Sequence, residues 1–142
     1  MLIKQTNRTG ADAVFINVRN VGGAALSAGA AVELDVTTAT DGNAVTAAKS
    51  GSLAGLFVGV TDQALADSAY GLVQTYGFRT SAYVSAASAG STPGTFLVPT
   101  AGYLLKAATM SAATTSGHIF ATLAETVSSS AVANANIFLR AM

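Results

Sequence analysis

Cysteine and tryptophan are absent from the 142 residues, proline occurs twice, and there is a single histidine, His118. Without cysteine there is no disulfide and no thiolate metal site. With one histidine and few carboxylates, an ordinary zinc centre of three or four Cys, His or carboxylate ligands cannot be assembled. Charge is equally scarce. Only 10% of the residues are charged, and seven basic side chains balance seven acidic ones, where an average soluble protein carries about 25%. No basic run exists to meet several phosphates, so direct nucleic-acid binding is not expected. The longest mainly apolar run, "LAGLFVGV", is far shorter than the ~20 residues that span a bilayer. The opening "MLIKQTNRTG" has no apolar signal-peptide core, so the chain is expected to be made and kept in a cytoplasm.

The usual marks of catalysis are missing too. No serine sits in a G-x-S-x-G elbow, and the glycines form neither a G-x-G-x-x-G fingerprint nor a Gly-Lys-Ser/Thr phosphate loop. His118, between Gly117 and Ile119-Phe120, fits a structural or rim position. Asp62 and Asp67 flank "QALA", and Asp41 precedes Gly42-Asn43, but neither segment has the D-x-D-x-D-G spacing of a calcium loop. A helix cap for Asp62 and a hairpin turn for Asp41 explain them better. No catalytic, metal or cofactor-binding residue is therefore assigned, and an enzyme is not expected.

What the chain has in abundance is small side chains: alanine, glycine, serine and threonine make up more than half of it. An alanine methyl buries little area, whereas a fully buried Val, Leu or Phe contributes about 1.5–3 kcal/mol. Such a chain packs backbones closely on a thin margin that a partner surface would widen. From Thr80 to Leu105 there is no formal charge at all, and so neutral an exterior favours association.

The pattern along the chain is one of short strands. "AVFINVR", residues 13–19, places Val14, Ile16 and Val18 on one face and Phe15, Asn17 and Arg19 on the other. "AVELDVT", residues 31–37, alternates Val32, Leu34 and Val36 against Glu33, Asp35 and Thr37, a half-buried strand with its charges outward. "TDGN" carries an Asp-Gly turn signal before a weaker strand at 44–48. "LAGLFVGVTD" holds Gly55 and Gly59 inside a strand, the mark of a bulge or of close backbone approach. "DQALADSAY" fits one short helical turn. "GLVQTYG" and "FRTSAYVS" read as two strands or as one bent at Gly77. "AASAGSTPG" is a loop, and "TFLVPTAGYLLKAATM" holds two short extended pieces around Pro99 and Gly102. "HIFATLAETV" and "NANIFLRAM" read as a terminal antiparallel pair. No twelve-residue stretch carries a helical stripe. Eight or nine short strands at roughly ten-residue intervals predict a single all-β domain over 13–142, a small barrel, sandwich or β-tulip-like fold, preceded by an extended arm over 1–12. Phe57 is expected in the core; Tyr76 and Tyr83 fit either core or subunit contact.

The order of several pieces resembles the capsid decoration, or cement, proteins of tailed bacteriophages. The matching residues are Gly29 and Val32, Val58-Gly59-Val60, Gly71, Val73, Gln74 and Gly77, Ala121, Leu123 and Glu125, and Ile137 and Leu139. The match covers roughly residues 20–142, with no counterpart for 86–117. The resemblance implies a β-rich virion protein on the capsid exterior, bound where major capsid protein subunits meet, as a homotrimer or other homo-oligomer, stabilising the shell. Its partners would be the major capsid protein and its own copies, with no membrane, nucleic acid or cofactor. Lys4 and Arg8 of the arm would then meet acidic capsid residues, and Tyr76 and Tyr83 are candidate contacts. Other assembly components, such as a fibre or tail part, and a small carbohydrate-binding β module are the alternatives.

Overall fold

The computed structural model describes residues 12–39, 41–48, 56–86, 90–106, 120–128 and 131–141. The arm with Lys4 and Arg8, together with Gly55 and His118, lies outside the described residues. Within them the chain is all-β, with nine strands: β1 Ala13–Asn20, β2 Ala31–Leu34, β3 Ala44–Ala47, β4 Phe57–Thr61, β5 Tyr70–Ser85, β6 Phe96–Thr100, β7 Tyr103–Lys106, β8 Ala121–Leu123 and β9 Ala133–Arg140. The pairing runs β1-β3-β2-β4-β5-β7-β6-β8-β9, and β5 also pairs with both β1 and β9. The hydrogen bonds thus close two five-strand circuits that share β5. One comprises β1, β3, β2, β4 and β5; the other comprises β5, β7, β6, β8 and β9. The result is sandwich-like rather than one clean barrel.

Each circuit has its own core. Val18, Leu26, Val32, Val45, Val58, Leu65 and Val73 fill the first. The second gathers Val84, Leu97, Leu104, Phe120, Leu123, Ile137 and Leu139, with Phe57 among them. Phe57 meets Phe120 edge-on, ring centroids 5.5 Å apart, so the expected core position of Phe57 holds. A closed circuit of so few strands encloses little room, because enclosed width grows with strand number. In the first circuit valine supplies most of the filling, whereas the second also takes Leu, Ile and Phe.

β5 is one sixteen-residue strand, not two. Its first half serves the first core through Val73 and its second half the other through Ala82 and Val84. The change of allegiance requires Gly77, whose φ is +102°. Gly59 marks the bulge expected of it: Val32 pairs with Gly59 and Glu33 with Phe57, leaving Val58 as the extra residue. The two extended pieces around Gly102 are β6 and β7, an antiparallel pair in which Pro99 sits within β6. β8 and β9 form the expected terminal antiparallel pair.

Three expectations need correction. Glu33 and Asp35 do not face outward; both are buried. β2 is walled on both sides, since Ala31 contributes to one core and Val32 to the other, so it has no solvent face for charges. Residues 62–70 form no helical turn. Leu65 instead exchanges two backbone hydrogen bonds of 2.8 Å with Leu26, and the buried Asn20 amide donates to the carbonyls of Leu65 and Ala66, both at 3.1 Å. The segment is thus tied to Leu26 and Asn20, and its one local backbone bond is a single turn, Ala69 N–H to the Ala66 carbonyl at 3.2 Å. Asp62 accordingly caps nothing; it pairs with Arg79.

Carboxylates build the β2–β3 hairpin at both ends. Asp41 accepts from the N–H groups of Asn43 and Ala44, the turn role expected of it. Asp35 accepts from Thr38 and Thr37 N–H, both at 2.7 Å, and from the Thr37 hydroxyl. The backbone donors of Thr38 and Thr37 hold its pKa at about 2. Because that lies below the unfolded value of about 4, its contribution to stability is complete above that pH and is lost as pH falls through about 2. A carbon NMR titration of the Asp35 carboxyl should therefore show a midpoint near 2; one near 4 would contradict the turn.

Candidate docking face

In a half-buried strand the larger apolar side chains ordinarily point inward. The first half of β5 does the reverse. Gly71, Val73, Thr75 and Gly77 are inside, and Tyr70, Leu72, Tyr76 and Phe78 are 60%, 44%, 37% and 39% exposed. The narrow first circuit admits only small side chains at these positions, so the large ones are left outward. From Tyr70 to Phe78 the row is about 26 Å long at ~3.3 Å per residue.

Gln74 is the one buried member of the outward series. Its amide donates to the carbonyls of Tyr76 and Phe78, at 3.2 and 3.0 Å, and its side-chain oxygen accepts from Arg79 Nη1. It lies along its own strand and firms the backbone beneath the row. Arg79 extends the network. Its Nη2 donates to the Thr61 carbonyl at 2.7 Å, its Nε to the Ser81 carbonyl at 2.9 Å, and its Nη1 to Asp62 Oδ1 at 3.1 Å. The guanidinium is buried while Asp62 is half exposed. One cation thereby ties β4 to the bulge that follows Arg79 in β5.

Neighbouring strands widen the row, because directly paired residues share a face. Phe78 pairs with Phe138 and Tyr76 with Arg140 on β9; Tyr76 also pairs with Val14, Leu72 with Asn17 and Tyr70 with Arg19 on β1. Tyr76 meets Phe138 edge-on at 5.4 Å, and the Arg140 guanidinium lies 5.6 Å from the Phe138 ring centre. The face is therefore aromatic and aliphatic, with Arg19 and Arg140 as its cations. Apolar side chains exposed on adjacent strands in this way make the face a candidate interaction surface. A cleft of about 370 Å³ opens beside it, with Asp62, Gln74, Phe78, Arg79 and Ser81 among its lining residues. The polar groups of Gln74 and Arg79 are already committed to the bonds above.

The structure places Tyr76 in this face. Tyr83 is half-buried on the second half of β5, paired with Asn134. Leu72, Phe138 and Arg140 were not singled out from the sequence; Phe78 stood out there only as one of the few large side chains of 55–85, and Gln74 only as a residue of the resemblance. The signal was present in "YGLVQTYGF", where small residues alternate with large ones, but alternation alone does not say which set faces in. Among the described residues no three His, Cys, Asp or Glu side chains gather as a metal site, and no helix is long and apolar enough to cross a membrane.

No protein-family model matches the chain, and no curated protein matches it. Among solved structures it is similar to the crystal structure of the head fiber gp8.5 N base of bacteriophage phi29. The TM-score is 0.54 at 13% sequence identity, over 91% of this chain and 96% of the other. At that identity the likeness is one of fold.

Proposed function

We propose that the protein is a structural component of a phage head, bound to the outside of the shell through the β5–β9 face, where it bridges major capsid protein subunits and stabilises them. The observation that carries this reading is the outward row of Tyr70, Leu72, Tyr76 and Phe78 in a chain with no net charge. The fold likeness to a head-fibre base and the sequence resemblance to cement proteins support it. The role needs no turnover. It needs a closely fitting apolar surface, with Arg19 and Arg140 to meet acidic groups on the shell, and repetition over the shell multiplies weak contacts.

A second reading, a base that anchors a fibre on the head, is favoured by the fold likeness to the phi29 head-fibre base. The two differ in consequence: a cement protein raises the temperature at which heads burst, whereas a fibre base binds without doing so.

The experiment is co-sedimentation of the purified protein with heads that lack it. Binding is expected to saturate, and Leu72→Ser with Phe78→Ser is expected to weaken it by about thirtyfold per residue, the roughly 2 kcal/mol of a buried anchor. Stability should fall by about 1–2 kcal/mol per residue, because more than half of each side chain is covered in the free protein, so binding is compared on variants that keep the wild-type circular dichroism spectrum. No co-sedimentation at saturating concentration would overturn the reading.

A further inference from the structure

The edge of β1 that faces away from β5 is open along most of its length. β3 joins it only at Arg19 and Asn20, and among the described residues nothing pairs with that edge from Ala13 to Val18. Hydrogen bonds at the end of the strand show which backbone groups lie there. Asn20 N–H donates to the Ala69 carbonyl, on the β5 side, and Arg19 N–H donates to the Asn43 carbonyl, on the β3 side. By alternation the N–H groups of Val18 and Ile16 point to β5 and that of Asn17 points to the open edge. Val14, Phe15 and Ile16 are all exposed, so both faces of the segment are bare as well. Natural sheets blunt such edges with lysine, proline or covering loops. Residues 13–18 contain neither lysine nor proline nor any charge.

We infer that the open edge of β1 is the site at which a second copy of this chain adds its own β1, antiparallel and about a two-fold axis. Six residues, about 20 Å of strand, are offered identically by both copies, as an isologous contact requires. Charge selects the direction. Asp12 stands at one end of the segment and Arg19 at the other, so antiparallel pairing sets unlike ends together and parallel pairing sets like ends together. With no net charge on the chain, nothing at long range keeps two copies apart. The contact leaves the β5–β9 row uncovered. It deepens the proposed role by giving the homo-oligomer its joint, and rests on that role only for its place on a head.

The test uses the full chain in solution, without heads. Light scattering and sedimentation should give a dimer mass at high concentration and a monomer on dilution. Asn17→Pro removes a donor from the open edge and none from the β5 ladder. It is expected to keep the wild-type circular dichroism spectrum and to be monomeric throughout. Phe15→Lys, which charges the exposed edge, should do the same and carries the test if the proline variant does not fold. Amide exchange at Asn17 should slow with rising concentration, while Ile16 and Val18 stay protected at every concentration. A wild-type monomer at all concentrations, a trimer, or a dimer that survives Phe15→Lys with a fast-exchanging Asn17 amide would overturn the inference. The oligomeric state is read without heads, and head binding is decided separately by co-sedimentation of the wild-type chain, since Phe15 and Asn17 pair with Gln74 and Leu72 of the docking row.

Discussion

Gly77→Ala is expected to cost about 2–6 kcal/mol, summing the ~1–3 kcal/mol of a strained backbone and a similar overpacking term. Total stability for a domain is only about 5–15 kcal/mol, so the melting temperature should drop by roughly 10–20 °C. Two causes act together. The φ of +102° is one that side chains rarely adopt, and the added methyl would collide with the Asp12 carbonyl oxygen. Gly59→Ala should be comparably severe, since its methyl would run into the Gln74 carbonyl. Gly42→Ala separates the causes. That glycine also has a positive φ, but a methyl there meets nothing within 4 Å, so only the backbone term of about 1–2 kcal/mol should appear. Thermal melts of the three variants provide the check; equal losses would mean that close backbone approach at Gly59 and Gly77 is unimportant.

The second large effect lies at Arg79. Arg79→Ala removes the donors to the carbonyls of Thr61 and Ser81 and to the Gln74 side chain, and orphaned buried acceptors cost about 1–3 kcal/mol each where water does not replace the bond. With some rehydration from the adjoining cleft, a net loss of about 3 kcal/mol is expected in urea unfolding. Asp62→Asn should cost less than about 1 kcal/mol, because that carboxylate is half exposed and screened. Arg79→Lys should recover only part of the loss, since an ammonium cannot reproduce the planar fork. Similar losses for Asp62→Asn and Arg79→Ala would show that the ion pair, not the carbonyl bonds, holds β4 to β5.

Much of the fold was legible because strand signals are local. The alternation in "AVFINVR", the Asp-Gly turn at Asp41, the interior Gly59, and the terminal pair around Leu123 and Ile137 each announce themselves within a few residues. What was not legible depends on enclosure. While Asp35 lies just past β2 with its carboxylate turned into the Thr37–Thr38 turn, the burial of Glu33 follows from β2 being covered on both faces, a property of the closed pairing that no neighbouring residue reveals. The same holds for Tyr70, Leu72, Tyr76 and Phe78. A half-buried strand with small residues on one side and large ones on the other is ordinarily read with the large ones inside. Only a circuit too narrow to hold them turns them out. Asp62 misled for a related reason, since its partner Arg79 comes from the next strand of the sheet and not from the residues that follow it.

The β5–β9 face as docking surface is tested most directly by hydroxyl-radical footprinting of the protein free and bound to heads. Tyr70, Leu72, Tyr76, Phe78 and Phe138 should lose reactivity on binding, while Val36, exposed but outside the face, keeps its own. Unchanged labelling of the row on head-bound protein, with protection elsewhere, would contradict the account.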